Sequence, residues 1–184
     1  HVLAPQLDSK NRQMHAVFVG SGTAAKARGA KILKRDEARD LVVLEFGGDP
    51  LPALSLAKGD NVRQGQEIAL TGFPIGMALG LYPVTHRGII SAITPMAQPV
   101  SESGHLTAMQ VKRRRAGYMA YQLDAVAYPG NSGSPIYDIE SAEVIGVLNS
   151  VLVKETRESM ISSPSGISYA IPVKHVRELL SRLP

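Results

Sequence analysis

The segment "YPGNSGSPIYD" (residues 128–138) places a serine inside a tight turn and then continues into an apolar run. Gly, Asn and Ser are common turn residues, so the segment alone is equally well interpreted as a plain connection between two strands. The alternative is a catalytic turn. Gly130 would let the backbone aim its own N–H and that of Ser132 at one point, which makes an oxyanion hole, and Gly133 would leave room for a substrate. This interpretation predicts acyl transfer, provided that the chain also supplies a His and an acid.

The composition is that of an ordinary globular chain. Its 184 residues are 44% hydrophobic and 20% charged, which suits one domain or two small subdomains. The absence of cysteine excludes disulfides, zinc–thiolate sites and a thiol nucleophile. The net charge of +4 calls for neither nucleic acid nor membrane as a partner. No apolar run approaches the roughly 18 residues of a membrane span. The His residues lack ligand spacing, so no metal or other cofactor is expected.

Short runs with strand character dominate the chain and are separated by Gly, Pro, Asn and Asp. The segments predicted as strands are 15–20, 29–36, 40–46, 67–73, 84–93, 118–124, 143–153 and 166–172. Only "VKHVRELLSRL" (173–183) has helical spacing of its apolar residues. Residues 94–117 are predicted to form a long loop, which is typical of a functional or mobile segment. Many strands without a βαβ rhythm predict β-barrels or sandwiches.

The serine segment, extended to "QLDAVAYPGNSGSPIYD" (122–138), resembles the active-site segment of trypsin-like serine proteases, especially those of the HtrA (high-temperature-requirement) type. Four further segments resemble that family in the same order: "EARDLVVLEF" (37–46), "IALTGFPIGMALGLYPVTHRGIISA" (68–92), "VIGVLNSVLV" (144–153) and "GISYAIPVKHVRELL" (166–180). Each segment alone is weak, but five in the right order are specific.

The resemblance implies an all-β, chymotrypsin-like fold for residues 1–184. Two six-stranded antiparallel β-barrels are expected, the first without its N-terminal strands. Residues 1–60 would form part of the N-terminal barrel, 61–172 mainly the C-terminal barrel, and 173–184 a C-terminal helix.

The resemblance also implies a triad of Ser132 as nucleophile, Asp40 as acid and His1 as base. Without its family context, Asp40 would be interpreted as an ordinary residue at the start of a strand. "HVL" at residues 1–3 is similar to the family's "Asn-His-Val-Val" segment, and His1 precedes Asp40 by 39 positions, which leaves room for a loop and a hairpin. The alternative is that His1 belongs to a tag. His175, in the terminal helix, is expected at the surface or in an interface.

A chain that begins at its catalytic His lacks the two strands that precede this His in the family. The first barrel would then have an open edge with unpaired backbone groups, and a free α-amino group would lie beside the triad. We therefore expect the chain as it stands to be weakly active or inactive, and we expect upstream strands to raise its turnover by orders of magnitude.

By the same resemblance, Val126 forms the floor of the substrate pocket, with Leu148, Asn149 and Ser150 as its walls. An apolar floor predicts a small or medium aliphatic residue before the scissile bond, unless Val126 is only core packing. Asn131, grouped with Gly130 and Ser132 at the oxyanion hole, replaces the Asp that trypsin-type zymogens pair with a new N-terminus. Activation by N-terminal cleavage is therefore not expected. Ser134, where the HtrA type has a second Gly, is not interpreted as inactivating.

The predicted function is that of a serine endopeptidase that hydrolyses proteins or peptides through an acyl-enzyme. The alternative is an inactive protein of the same fold that binds peptides or partner proteins. A lipase is disfavoured because a strand, not a helix, follows the serine. The resemblance implies a periplasmic or secreted location and allows a homo-oligomer; no PDZ domain is found in the 184 residues, so peptide sensing and cage assembly are not assumed. The basic run "VKRRR" (111–115) is interpreted as a solvated charge cluster, with recognition of an acidic partner as the alternative.

Overall fold

Nine strands and one α-helix make up the part of the chain that the computed structural model describes, namely residues 15–74, 80–96, 117–128, 130–149 and 167–183. The strands are β1 His15–Val19, β2 Lys26–Asp36, β3 Leu41–Phe46, β4 Glu67–Gly72, β5 Val84–Pro95, β6 Met119–Asp124, β7 Pro135–Asp138, β8 Val144–Asn149 and β9 Ile167–Pro172. A single 3-10 turn, Gly22–Ala24, joins β1 to β2, and the helix α1 spans Val173–Leu180.

Strands β4 to β9 close into a six-stranded antiparallel barrel in the order β4-β5-β6-β9-β8-β7, with β7 pairing back to β4. The barrel contains the main hydrophobic core. Its fully buried side chains include Ile68, Leu70, Ile90, Leu123, Ile136 and Leu148. Strands β4 and β8 are buried along most of their length, whereas β5 is mostly half-buried or exposed. For β8 a local cause is visible, because α1 packs against this strand.

Strands β1 to β3 form a separate antiparallel sheet in the order β1-β2-β3. Its residues alternate between half-buried and exposed positions, and Leu41 is the one strand residue of this described sheet that is buried. The closed six-stranded barrel predicted for the second half of the chain is thus present. Among the described residues, the first half shows three strands and no second closed barrel.

The predicted strands correspond closely to the observed ones, with three differences. Strand β2 begins at Lys26 rather than 29, because it pairs with β1 back to Val19. Strand β5 continues to Pro95, two residues into the predicted loop, because Thr94 and Pro95 still pair with β6. The sequence predicts a strand after the serine but not where it begins and ends, because the four residues of β7 are too few for an alternating pattern.

The C-terminal helix lies between the two sheets. It contacts β8 and β9 of the barrel and β2 and β3 of the first sheet. Its Leu179 packs with Ile171 of the barrel and Leu41 of the first sheet in a second apolar cluster. Neither α1 nor any other helix in the described ranges has the length and apolarity needed to cross a bilayer.

Candidate active site

The serine turn lies between β6 and β7 and contains two glycines in the left-handed region. Gly130 has φ 99° and Gly133 has φ 88°, which a residue with a side chain adopts only with strain. Ser132 between them is half-buried. The backbone therefore turns sharply on both sides of the serine, as the sequence predicts for this turn.

Four backbone hydrogen bonds fix this turn. Within it, Asn131 N–H donates to Tyr128 O at 3.1 Å and Ser134 N–H donates to Asn131 O at 3.0 Å. Two more attach it to β8: Gly133 N–H donates to Leu148 O, and Leu148 N–H donates to Ser134 O, both at 2.8 Å. The conformation of the serine turn is therefore coupled to the barrel wall rather than left to a free loop.

The inner side of the turn packs against β4 at a position where only glycine fits. A Cβ at Gly72 would lie 2.2 Å from Ser134 Oγ and 2.7 Å from Asn131 Oδ1. Asn131 is completely buried, and neither its Oδ1 nor its Nδ2 has a hydrogen-bond partner among the described residues. Sequence reasoning missed Gly72, because a glycine at the end of a strand gives no sign of what it faces.

Asp40, the predicted acid, is the last residue of the turn between β2 and β3. Its φ of 54° lies in the left-handed region, where non-glycine residues are uncommon. Asp36, at the end of β2, accepts the Arg39 N–H through Oδ1 at 3.2 Å and the Arg39 guanidinium through Oδ2 at 2.8 Å. These bonds close the turn that presents Asp40.

A cavity of about 410 Å³ lies between the first sheet and the barrel. Its wall combines Asp36 and Asp40 from the β2–β3 turn with Gly133 from the serine turn and Asn149 from the end of β8. The structure thus brings the predicted acid and the predicted nucleophile turn to one cavity, although they lie in different sheets.

Two titratable side chains, those of Tyr118 and His175, lie near the charged β2–β3 turn. Burial raises the pKa of Tyr118, and the negative charge of Asp40 raises it further, whereas Arg39 lowers it. The Tyr118 ring meets His175 of α1 edge-on at 5.4 Å between centroids. His175 is 5% exposed, so it lies in an interface rather than at the surface. Burial lowers the pKa of His175, and its contact with Glu178 opposes that change.

The predicted pocket residues separate into two groups. Leu148 and Asn149 are buried and line the cavity with Asp40. Val126 is 38% exposed and does not line the cavity, so the structure does not bring it together with Leu148 and Asn149 there. Ser150 lies outside the described residues.

The predicted base, His1, also lies outside the described residues, as do His105 and the basic run 111–115. Of the other histidines, His15 belongs to β1, and His86 belongs to β5, where its ring lies 5.9 Å from that of Tyr128.

Comparison with known proteins defines the class first. The family described as "Trypsin-like peptidase domain" matches residues 1–147, so the chain belongs to the family of trypsin-like peptidase domains. Similar curated proteins then point to the HtrA type. A "Probable periplasmic serine endoprotease DegP-like" of Hahella chejuensis is 30% identical over 154 residues, covering 84% of this chain and 27% of that protein. A mitochondrial "Serine protease HTRA2" of Drosophila persimilis is 31% identical over 147 residues, covering 80% and 28%.

Solved structures agree with these relatives. The "HtrA-type protease AlgW with decapeptide" superposes with a TM-score of 0.61 at 27% identity, covering 86% of this chain and 41% of that chain. The resemblance to trypsin-like serine proteases of the HtrA type is therefore confirmed. The chain spans only about a quarter of the length of the two curated relatives.

Proposed function

We propose that this chain is a serine endopeptidase domain, with Ser132 as nucleophile, Asp40 as orienting acid and His1 as general base. The observation that carries the proposal is the cavity shared by Asp40 and Gly133, because it joins the acid to the serine turn across two sheets. The kinship with proteins named as serine endoproteases supports the same reaction.

The reaction begins when the His1 imidazole takes the Ser132 hydroxyl proton while Oγ attacks the carbonyl carbon of the scissile peptide bond. Asp40 accepts a hydrogen bond from the imidazole, which fixes its tautomer and stabilises the imidazolium. The carbonyl oxygen becomes an oxyanion, and the N–H groups of Gly130 and Ser132 donate to it. Asn131 contributes by holding the turn between these two donors.

The tetrahedral intermediate collapses when the imidazolium gives its proton to the leaving amine. This breaks the C–N bond and leaves an ester between the substrate acyl group and Ser132. A water molecule then attacks the ester with His1 again as base, which releases the carboxylic acid and restores the serine.

The substrates are proteins or peptides with a small or medium aliphatic residue before the scissile bond. Val126 is exposed rather than packed into the core, which leaves its side chain available as the pocket floor. Leu148, Asn149 and Ser150 are the proposed walls. The solved HtrA-type protease with a bound decapeptide supports peptides as ligands of this fold.

The three-stranded sheet is proposed to be part of an N-terminal β-barrel within residues 1–60, with residues 61–172 mainly forming the C-terminal barrel. The half-buried inner positions of this sheet support that assignment, because a complete barrel would cover them. We also propose a periplasmic or secreted location, since the Hahella relative is named periplasmic, while the Drosophila relative is mitochondrial.

The test is labelling with an organofluorophosphonate, followed by intact mass measurement, on this chain and on Ser132→Ala. The expected result is a single adduct that forms slowly on the chain as it stands, in line with its expected weak activity, and that is absent from Ser132→Ala, because only an activated serine reacts. Ser134→Ala is the matched control: it removes a neighbouring hydroxyl from the same turn and should still be labelled.

If no adduct forms on the parent chain, two explanations are possible, and a second measurement distinguishes them. If labelling appears once upstream strands precede His1, the site was incomplete and the endopeptidase proposal stands. If it does not, the chain is an inactive protease-fold protein and the proposal is wrong.

A further inference from the structure

Arg39 lies next to Asp40 in the β2–β3 turn, and its guanidinium contacts two carboxylates. One nitrogen donates to Asp36 Oδ2 at 2.8 Å, and the other lies 3.4 Å from Glu178 Oε2. The Arg39 side chain is 26% exposed and that of Asp36 only 10%, so their contact is partly shielded from water, whereas the side chain of Glu178 is 44% exposed. A surface ion pair contributes little, but a shielded guanidinium held between two carboxylates keeps a defined geometry.

Glu178 belongs to α1, so this contact crosses from the first sheet to the C-terminal helix. The same Oε2 atom of Glu178 lies 3.3 Å from Nδ1 of the buried His175. The hydrogen bond with His175 lowers the pKa of Glu178, which keeps this carboxylate charged toward Arg39. His175 packs edge-on against Tyr118. The turn is therefore connected to the helix through the contact of Arg39 with Glu178.

This connection matters because the conformation of Asp40 is not the one that its backbone favours. A φ of 54° in a residue with a side chain costs about 1 kcal/mol or more, and it persists only where the surroundings hold it. Within the turn, Arg39 donates to Asp36 from its backbone N–H and from its guanidinium, and these bonds help to hold the turn. The contact with Glu178 adds an anchor outside the sheet.

We propose that Arg39 is a positioning residue for Asp40: its pairing with Glu178 ties the turn that carries the acid to the C-terminal helix. The inference rests on the proposed function, in which Asp40 orients the base. Arg39 touches neither substrate nor reacting atoms and acts only through Asp40. A loosened turn lets the carboxylate move, and displacement of a catalytic group by about 1 Å can lower a rate by roughly 100-fold.

The first experiment measures the second-order rate constant for fluorophosphonate labelling as a function of pH in the parent chain, Arg39→Gln and Glu178→Ala. We expect Arg39→Gln to slow labelling by roughly 10-fold or more. We also expect the midpoint of its pH profile to fall, because a less well-placed carboxylate supports the imidazolium less. Arg87→Gln is the matched control, since it removes an exposed arginine–carboxylate pair with Glu67 between β4 and β5. Rates are compared at a temperature at which every variant is folded.

The proposal would be overturned if Arg39→Gln folds, is labelled at the same rate as Arg87→Gln and has the same pH midpoint as the parent chain. A purely structural Arg39 would lower Tm without moving that midpoint. Should Arg39→Gln fail to fold, Glu178→Ala decides, because it leaves the Arg39–Asp36 contacts intact.

The second experiment does not depend on activity. Hydrogen exchange of the amides of residues 37–41 is compared between the parent chain and Glu178→Ala, and we expect exchange at least about 10-fold faster in the variant. If the exchange rates of these amides are the same in Glu178→Ala as in the parent chain, the contact with the helix does not hold the turn and the proposal is wrong. If the chain is not labelled even when upstream strands precede His1, the proposed function fails. Faster exchange in Glu178→Ala would then show that the contact between helix and turn is structural only, and the positioning role would be wrong.

Discussion

Substitution of Gly72 by Ala should damage the serine turn from the opposite strand. The added Cβ would lie 2.2 Å from Ser134 Oγ and 2.7 Å from Asn131 Oδ1. Ordinary contact begins near 3.5 Å, so a gap of roughly 1 Å has to open between β4 and the turn. Asn131 is completely buried, and the turn is bonded to β8 through Gly133 and Leu148, so neither partner can move away freely.

The magnitude follows from this geometry. Overpacking a buried site by one methyl costs about 1–3 kcal/mol of unfolding free energy. For a chain of this size, each kcal/mol lowers Tm by roughly 2–4 °C. The catalytic effect should be larger: Ser132 lies between the two displaced residues, and a shift of about 1 Å in a reacting group lowers the rate by roughly 100-fold.

The assay combines thermal unfolding with the labelling rate of Ser132, and Gly29→Ala is the control. Gly29 lies in β2, and a Cβ at this position would have nothing within 4 Å, so its substitution should change the unfolding free energy by less than about 0.5 kcal/mol. Adding Ser134→Ala to Gly72→Ala removes the nearest obstructing atom and should recover part of both losses. The reasoning would be refuted if Gly72→Ala had the same Tm and labelling rate as Gly29→Ala. It would also be refuted if the double variant recovered neither the Tm nor the labelling rate.

Two further predictions concern stability. Leu148 is 1% exposed in the barrel core, so Leu148→Ala should lower the free energy of unfolding in urea by about 2–5 kcal/mol. Leu180 is 39% exposed, so Leu180→Ala should lower it by less than about 1 kcal/mol. Equal losses in the two variants would contradict the assigned core. Burial lowers the pKa of His175, so the unfolded chain binds its proton more readily; the resulting stability is complete above the unfolded-state pKa of about 6.5 and falls as the pH drops below it. His175→Gln should therefore flatten the pH dependence of unfolding free energy between about pH 7 and pH 5, and an unchanged slope would count against a buried neutral histidine.

Much of the barrel can be predicted from the sequence, because its strands carry dense apolar runs between turn residues. Strand β8 is found inside the predicted segment 143–153, and the serine turn has the glycine conformations that its sequence demands. Strand β7 escapes a bounded prediction because four residues show no period. The shared cavity of Asp40 and Gly133 was expected only through the family resemblance, since no local pattern brings two sheets together.

Helical periodicity alone leaves the environment of His175 open between the surface and an interface. The spacing of Val173, Val176 and Leu179 defines an apolar stripe, and at about 100° per residue His175 lies next to Leu179, at the edge of that stripe. The helix α1 contacts both the barrel and the first sheet, and His175 is buried. A sequence pattern shows the apolar stripe but not how far burial extends beyond it.

The alignment of the proposed site depends on contacts between two sheets that share no strand pairing. Asp40 comes from a sheet whose one buried strand residue is Leu41, directly after it in the chain. Leu41 packs with Ile171 of the barrel and Leu179 of α1. The residue before Asp40, Arg39, contacts Glu178 on the same helix. The acid is thus held by an apolar anchor on one side and an ionic anchor on the other, and both lead to α1. A perturbation that loosens this helix should therefore impair the site before it unfolds the barrel, because the barrel closes without the helix.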